Sequence, residues 1–328
     1  MAIELVSLLY FLAFVPYAVL TRWFASIPFP PLGRALTGLE ILPAATIVSG
    51  ILTVLFVWMS GWVREAHQRR FAGRNWPVPT RWTTLSGIGT ALLLFTVPLS
   101  FTFKGVSIPF MQLLMRGDVL IIAPLVDLMN GRRVRWYSWV ALVLVAAGIA
   151  LTISARGGLY LPPLAILTVV LYTLGYFVRL WVMTHVSKSG DANEVKGYFV
   201  EEKLVAIPVA LACLALLSLV DFGSQRGELS FGFVGVWRSG LLVQILVLST
   251  LLVLISVFSI LILLDKRENT YCVPFERSAS ILSGIAAAFI LAWMGLGRLP
   301  TAAELTGAGL LVLAIVILSL APGWSRPR

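Results

Sequence analysis

Apolar residues in this chain fall in long runs, separated by short polar stretches rich in arginine, glycine and proline. A helix that spans the hydrocarbon core of a bilayer needs about 20 apolar residues at roughly 1.5 Å rise each. That ruler marks ten runs, at 3–24, 39–63, 84–104, 107–129, 136–154, 161–186, 197–220, 240–265, 270–295 and 302–320. Most connections are short, which favours antiparallel neighbours. The longest are 64–83, carrying Arg64, Arg69, Arg70, Arg74 and Arg81, and 221–239. The pattern predicts an all-α polytopic membrane protein. The first run has no basic flank, carries Glu4 and precedes no small-residue cleavage site, so it reads as a retained helix and not a secretory signal.

Composition and charge sharpen this. The 328 residues are 59% hydrophobic and 12% charged, with a mean hydropathy of +0.94. A soluble domain carries about 25% charged residues, so water is a poor main solvent for this surface. The formal charge of +10 raises nucleic acid as a partner, but the basic residues sit in short loops between apolar runs. Lipid headgroups account for that placement better, so the expected partners are the bilayer and a small solute, with no nucleic acid. With the N-terminus inside, inner segments hold fourteen Lys and Arg and outer loops seven. Both termini are therefore expected in the cytoplasm, with the bacterial cytoplasmic membrane as the location. Cys213 and Cys272 both lie in apolar runs and form neither a disulfide framework nor a metal site.

An internal repeat organises the runs. A shift of 162 residues puts Tyr10 on Tyr172, Leu12 on Leu174, Phe14 on Tyr176, Arg34 on Lys196 and Glu40 on Glu202. A shift of 165 puts Pro109-Phe110 on Pro274-Phe275, and one of 166 puts Gly131-Arg132 on Gly297-Arg298. The order and near-constant offset indicate a duplication, with repeats over 1–155 and 156–328. Five helices per repeat is an odd number, so the second copy enters from the opposite side. Such inverted pairs are a signature of secondary transporters, with the substrate site near the midplane where the halves meet.

The segment Met115-Arg116-Gly117-Asp118-Val119-Leu120-Ile121-Ile122-Ala123-Pro124-Leu125 leads into Asn130-Gly131-Arg132-Arg133-Val134 and then an apolar run ending in Ala146-Ala147-Gly148-Ile149. Its counterpart is Ser283-Gly284-Ile285-Ala286-Ala287-Ala288, then Gly297-Arg298-Leu299-Pro300, then Gly307-Ala308-Gly309. These stretches resemble the closing helices of repeats in the drug/metabolite transporter superfamily, in its EamA-like and nucleotide-sugar-transporter-like members. Arg132 and Arg298 depart from the acidic residue that often follows the glycine there. The resemblance implies ten helices and transport without a cofactor. Nucleotide-sugar and sugar-phosphate carriers of that superfamily place a basic residue in the fourth and ninth helices, facing the cavity. Arg116 and Arg277 stand at what look like those positions.

Depth points to the same pair. Arg116 lies about nine residues, roughly 14 Å, into its run, and Arg277 is comparably deep. Charges there belong in the bundle interior or against water, lining a pathway or forming a structural ion pair such as one with Glu276. Gln112, Arg116, Ala123 and Asp127 share one helix face. Arg277, Ser280, Gly284 and Ala288 share another, where packing also explains the small residues. Tyr10, Tyr172 and Tyr176 are deep enough to stack on a solute or to bond a neighbouring helix. The candidate substrate residues are thus Arg116, Arg277, Gln112, Tyr10, Tyr172, Tyr176 and Ser280, with Glu276 and Asp118 as proton carriers or ion-pair partners. Glu40, Glu201, Glu202 and Lys203 are placed near helix ends, as headgroup-level charges with a gating role as the alternative. Arg179 is expected to snorkel towards the cytoplasmic face. His67 and His185 have no partner at metal-ligand spacing, and no metal or catalytic group is expected.

No phosphate loop, HExxH or GxSxG motif is present, so neither ATP-driven transport nor a familiar hydrolase is expected. The favoured reading is a secondary transporter that moves a small anionic metabolite by alternating access, not an enzyme. The alternatives are an exporter of amphipathic drug-like metabolites and a membrane enzyme or subunit acting on lipid-linked material.

Overall fold

The computed structural model describes residues 3–29, 32–71, 73–103, 105–129, 136–155, 157–158, 161–186, 192–220, 224–263 and 269–324. Within these, the side chains of 71, 74, 118–121, 123–129, 138, 184, 186, 192, 269–275, 318–319 and 321–324 are not described. The described chain is all-α apart from one small hairpin. Its long helices are α1 (Ile3–Phe24), α2 (Gly38–Met59), α3 (Arg81–Ser100), α4 (Ile108–Met129), α5 (Trp136–Ala155), α6 (Pro163–Val186), α7 (Ala192–Leu219), α9 (Leu242–Leu263), α10 (Asn269–Trp293) and α11 (Ala302–Trp324). The short α8 (Gln225–Ser230) runs into a π turn and a 3₁₀ turn ending at Arg238. Six of these helices, α1, α2, α3, α6, α7 and α9, are long and apolar enough to cross a membrane by length and composition. Large apolar side chains are exposed along several of them, including Leu5, Leu8 and Leu12 on α1 and Leu216, Leu217 and Leu219 on α7. Continuous exposed apolar surface of this kind is rare on soluble monomers.

Helix starts follow local chemistry. Thr37 caps α2 and Thr80 caps α3, each in a reciprocal box closed by Glu40 and Thr83. Such boxes satisfy amide donors that the first turn leaves open. The stretch 64–83, expected as a plain loop, instead folds a 3₁₀ turn and a hairpin of β1 (Gln68–Phe71) and β2 (Arg74–Pro77). Gly73 turns the corner with φ +78°, a conformation that side chains rarely adopt. Glu201 on α7 fastens this hairpin to the bundle. Its carboxylate accepts from the His67 backbone N–H at 2.9 Å, the Thr80 N–H at 3.3 Å and the Thr83 hydroxyl at 2.8 Å, and meets His67 Nδ1 at 2.6 Å.

The bundle has a regular neighbour pattern. Helix α3 lies along α6 and α7, and α9 lies along α1 and α2. Helix α10 packs on α1 and α4 packs on α6, while α5 and α11 pair with each other. The buried apolar residues fall mainly into two clusters, one centred on α3, α6 and α7 and the other on α1, α9 and α10. Tyr172 and Tyr176 belong to the first, Tyr10 and Phe14 to the second.

Glycine lets two of these pairs come close. A Cβ on Gly89 would lie 2.7 Å from the Gly175 carbonyl oxygen, and one on Gly175 would lie 2.6 Å from that of Gly89. Gly148 and Gly307 oppose each other in the same way at 3.0 Å. Small residues at such crossings allow backbone contact where lipid offers no hydrophobic drive. Substituting Gly175 by leucine is therefore expected to destabilise the bundle by about 1–3 kcal/mol, as overpacking does. A Gly309→Leu variant, where nothing lies within 4 Å of the added Cβ, should melt like wild type. Equal melting temperatures for the two variants would remove the crossing from the account.

Candidate functional site

Where the two apolar clusters meet, seven helices present polar side chains to one small cavity. It has a volume of about 80 Å³ and is lined from α1, α3, α4, α6, α7, α9 and α10. Helical spacing assembles the walls from pairs one turn apart: Tyr10 with Phe14, Gln112 with Arg116, Tyr172 with Tyr176. Arg116 is 4% exposed and Arg277 is 1% exposed.

The two arginines, one from α4 and one from α10, converge on a single acceptor. Nη1 of Arg116 and Nη1 of Arg277 both donate to the Tyr172 hydroxyl oxygen. Arg116 is held further by its Nε, which donates to Gln112 Oε1 at 3.0 Å, and by the Phe14 and Tyr172 rings, 5.8 and 5.3 Å from its guanidinium carbon. The guanidinium of Arg277 lies 3.7 Å from the centre of the Tyr176 ring. The rings of Tyr172 and Tyr176 are nearly parallel, with centres 6.0 Å apart. Aromatic faces attract cations most strongly when water is excluded, which lets this site hold guanidinium groups with few carboxylates.

Glu276 supplies one of those carboxylates. Its Oε1 accepts from the Tyr10 hydroxyl at 3.1 Å and from the Ser259 hydroxyl at 3.2 Å. Its Oε2 lies 3.2 Å from Arg277 Nε, an ion-pair distance without hydrogen-bond alignment. Nη2 of Arg277 and the Tyr176 hydroxyl are buried with no hydrogen-bond partner.

Of the sequence candidates, Arg116, Tyr10, Tyr172, Tyr176 and Glu276 line the cavity, Arg277 reaches its edge through Tyr172, and Gln112 supports Arg116. Ser280 does not join them. Its hydroxyl donates to the Arg277 carbonyl of its own helix at 2.9 Å, which is the packing role. Gly284 packs against the Gln112 side chain, where a Cβ would approach Cγ to 2.9 Å. The side chains of Asp118, Ala123 and Asp127 lie outside the described residues.

A second charged group borders the same cavity, and here the structure corrects the sequence reading. Arg179 does not snorkel: it is 7% exposed, with Nε 2.7 Å from Glu202 Oε1 and Nη2 3.3 Å from Oε2. Glu202 is fully buried and also accepts from the hydroxyls of Ser86 at 3.0 Å and Thr90 at 2.7 Å. Lys203 is 7% exposed, lines the cavity and donates to Ser256 Oγ at 3.4 Å, with its Nζ 5.6 Å from the Phe199 ring centre. Glu202 and Lys203 are not at the start of their helix: α7 begins at Ala192, which places them about ten residues, roughly 15 Å, along it. Glu40 does sit in the first turn of α2, paired with Arg34.

No protein-family model and no curated protein matches the sequence. Among solved structures the chain is similar to one whose title reads "Crystal structure of protein", at 12% identity and a TM-score of 0.53, covering 99% of this chain and 99% of that one. At that identity the likeness concerns the fold alone.

Proposed function

We propose that this chain is a secondary carrier for a small anionic metabolite, built from ten membrane-crossing helices as two inverted five-helix repeats with both termini cytoplasmic. The observation that carries the reading is the meeting of Arg116 and Arg277, from the fourth and ninth long helices, on one tyrosine hydroxyl at a cavity between the halves. Buried charge inside a membrane is costly, and its default explanation is a pathway or binding site.

The neighbour pattern supports the repeat. Exchanging α1 to α5 for α6, α7, α9, α10 and α11 turns the α3–α6 pair into α9–α1, α3–α7 into α9–α2 and α1–α10 into α6–α4, all of which pack together. The pairs α4–α10, α2–α7 and α5–α11 map onto themselves. Membership of the drug/metabolite transporter superfamily fits the same architecture. Glu276 and Glu202 are engaged by arginines and hydroxyls, which favours ion pairing over acid–base chemistry or proton carrying. The cavity is far below the roughly 300–1,000 Å³ of drug-sized sites, which favours a compact solute over an amphipathic one.

The test is uptake and counterflow of a panel of small anions in proteoliposomes. Wild type is expected to move at least one of them, and Arg116→Ala and Arg277→Ala to fall to the empty-liposome background while still inserting as monodisperse protein. Unchanged transport in both variants would remove the arginines from the mechanism.

A further inference from the structure

Lys203, on α7, also lines the cavity. Six charged side chains crowd the cavity and its margin among the described residues: Arg116, Arg179, Lys203 and Arg277 against Glu202 and Glu276. Among the described residues that is an excess of two positive charges. Glu202, the carboxylate beside Lys203 in sequence, is taken by Arg179, Ser86 and Thr90. Facing Lys203 from the neighbouring helices are Arg179 and Tyr176 on α6 and the hydroxyls Thr90, Ser256 and Ser259 on α3 and α9. Helix α2 has a single ionisable residue, Glu40, held at its first turn by Arg34. The ammonium has three donors, one of which reaches Ser256 Oγ at 3.4 Å. The Tyr176 hydroxyl, on the cavity wall, is a further buried donor with no acceptor for its proton.

Uncompensated buried charge and unpaired buried donors are each expensive. A compact oxyanion in the cavity would remove both costs together, because it supplies negative charge and several acceptor oxygens in a small volume. We propose that Lys203 sets the charge preference of the site: with Arg116 it makes the cavity selective for a compact anion carrying two negative charges over one carrying a single charge. This rests on the anion-site reading of the cavity and names its ligand class. Arg116 approaches from α4 and Lys203 from α7, so the ligand bridges elements of both halves. A monoanion can satisfy one pole and leaves the other exposed to its own desolvation cost.

Thermal unfolding of the purified full chain in detergent tests this, with sulfate, oxalate and malonate compared with chloride, formate and acetate at matched ionic strength. A ligand that binds only the folded state raises its melting temperature in a saturable way. The expected result is a saturable rise with at least one dianion at millimolar concentration, exceeding that of every monoanion. In Lys203→Met the apparent affinity for that dianion should weaken about tenfold, as the loss of one charge-assisted contact does, while monoanion responses persist. Lys203→Arg should restore the preference, and it serves as the informative variant should Lys203→Met fail to fold. Sulfate also stabilises proteins by exclusion from their surface, but that effect neither saturates nor depends on Lys203. Equal responses to mono- and dianions, no saturable response to any dianion, or an undiminished preference in Lys203→Met would each overturn the proposal. Dianion binding without flux in proteoliposomes would instead sink the carrier reading and leave this one standing.

Discussion

Replacing Glu202 by leucine is expected to destabilise the folded bundle by about 3–5 kcal/mol, the cost of stranding one partner of a buried ion pair. The carboxylate accepts two contacts from Arg179 and one each from Ser86 and Thr90. Its loss leaves a guanidinium 7% exposed without its ion-pair partner and the Thr90 hydroxyl without its acceptor, while Ser86 keeps the Tyr198 hydroxyl. Arg179→Leu should cost a similar amount, for the mirror reason. The double variant is the discriminating one. With both charges gone the desolvation penalty disappears, so Arg179→Leu/Glu202→Leu should recover much of the loss and melt above either single variant. Thermal unfolding in detergent reads this directly. Losses in the double variant equal to the sum of the two singles would mean that the pair is not coupled, and the buried network would have to be redrawn.

The second large effect is expected at Tyr172. Its hydroxyl is the shared acceptor for Arg116 and Arg277, so Tyr172→Phe removes two charge-assisted hydrogen bonds in one change while keeping the ring. Hydrogen bonds to charged groups contribute about 1.5–3 kcal/mol each. The aromatic face still holds both guanidiniums, which limits the cost to stability. Their positions relative to each other are no longer tied. Anion flux is therefore expected to fall by roughly 100-fold, the order that misplacement of a binding group produces, with a much smaller change in melting temperature. Tyr10→Phe is the control: it removes one donor to Glu276, which keeps Ser259 and the adjacent Arg277. A Tyr172→Phe protein that transports like the Tyr10→Phe control would show that the two arginines do not act through their common acceptor.

Much of the helical architecture is legible in the chain because apolar run length is a strong signal. The run at 3–24 is the helix Ile3–Phe24, and that at 107–129 is Ile108–Met129. The exceptions have physical causes. Residues Ala192 to Lys196 are mostly polar, so a hydrophobic ruler starts the seventh run at 197, whereas the helix begins at Ala192. Five residues is more than a turn. That offset misplaced Glu202 and Lys203 as end charges, and with Glu202 hidden, nothing in the sequence announced a buried partner for Arg179. The hairpin was illegible because Gln68–Phe71 and Arg74–Pro77 lack alternation; they are ordered by docking on α7 through Glu201, not by their own pattern. Arg116 and Arg277, by contrast, stand out because a charge deep in an apolar run has few bland explanations. That they share Tyr172 is a property of three helices at once, and no single segment encodes it.

Accessibility of the cavity from each face of the membrane tests the account most directly. A single cysteine placed by Ser256→Cys, with Cys213 and Cys272 replaced by alanine, would sit on the cavity wall beside Lys203. In vesicles of defined orientation, a membrane-impermeant maleimide should label it from the outside and, in inverted vesicles, from the inside. The two rates should change in opposite directions when a bound anion shifts the population between open forms. Labelling from one face alone, or from neither while the unfolded protein reacts fully, would contradict an alternating-access carrier.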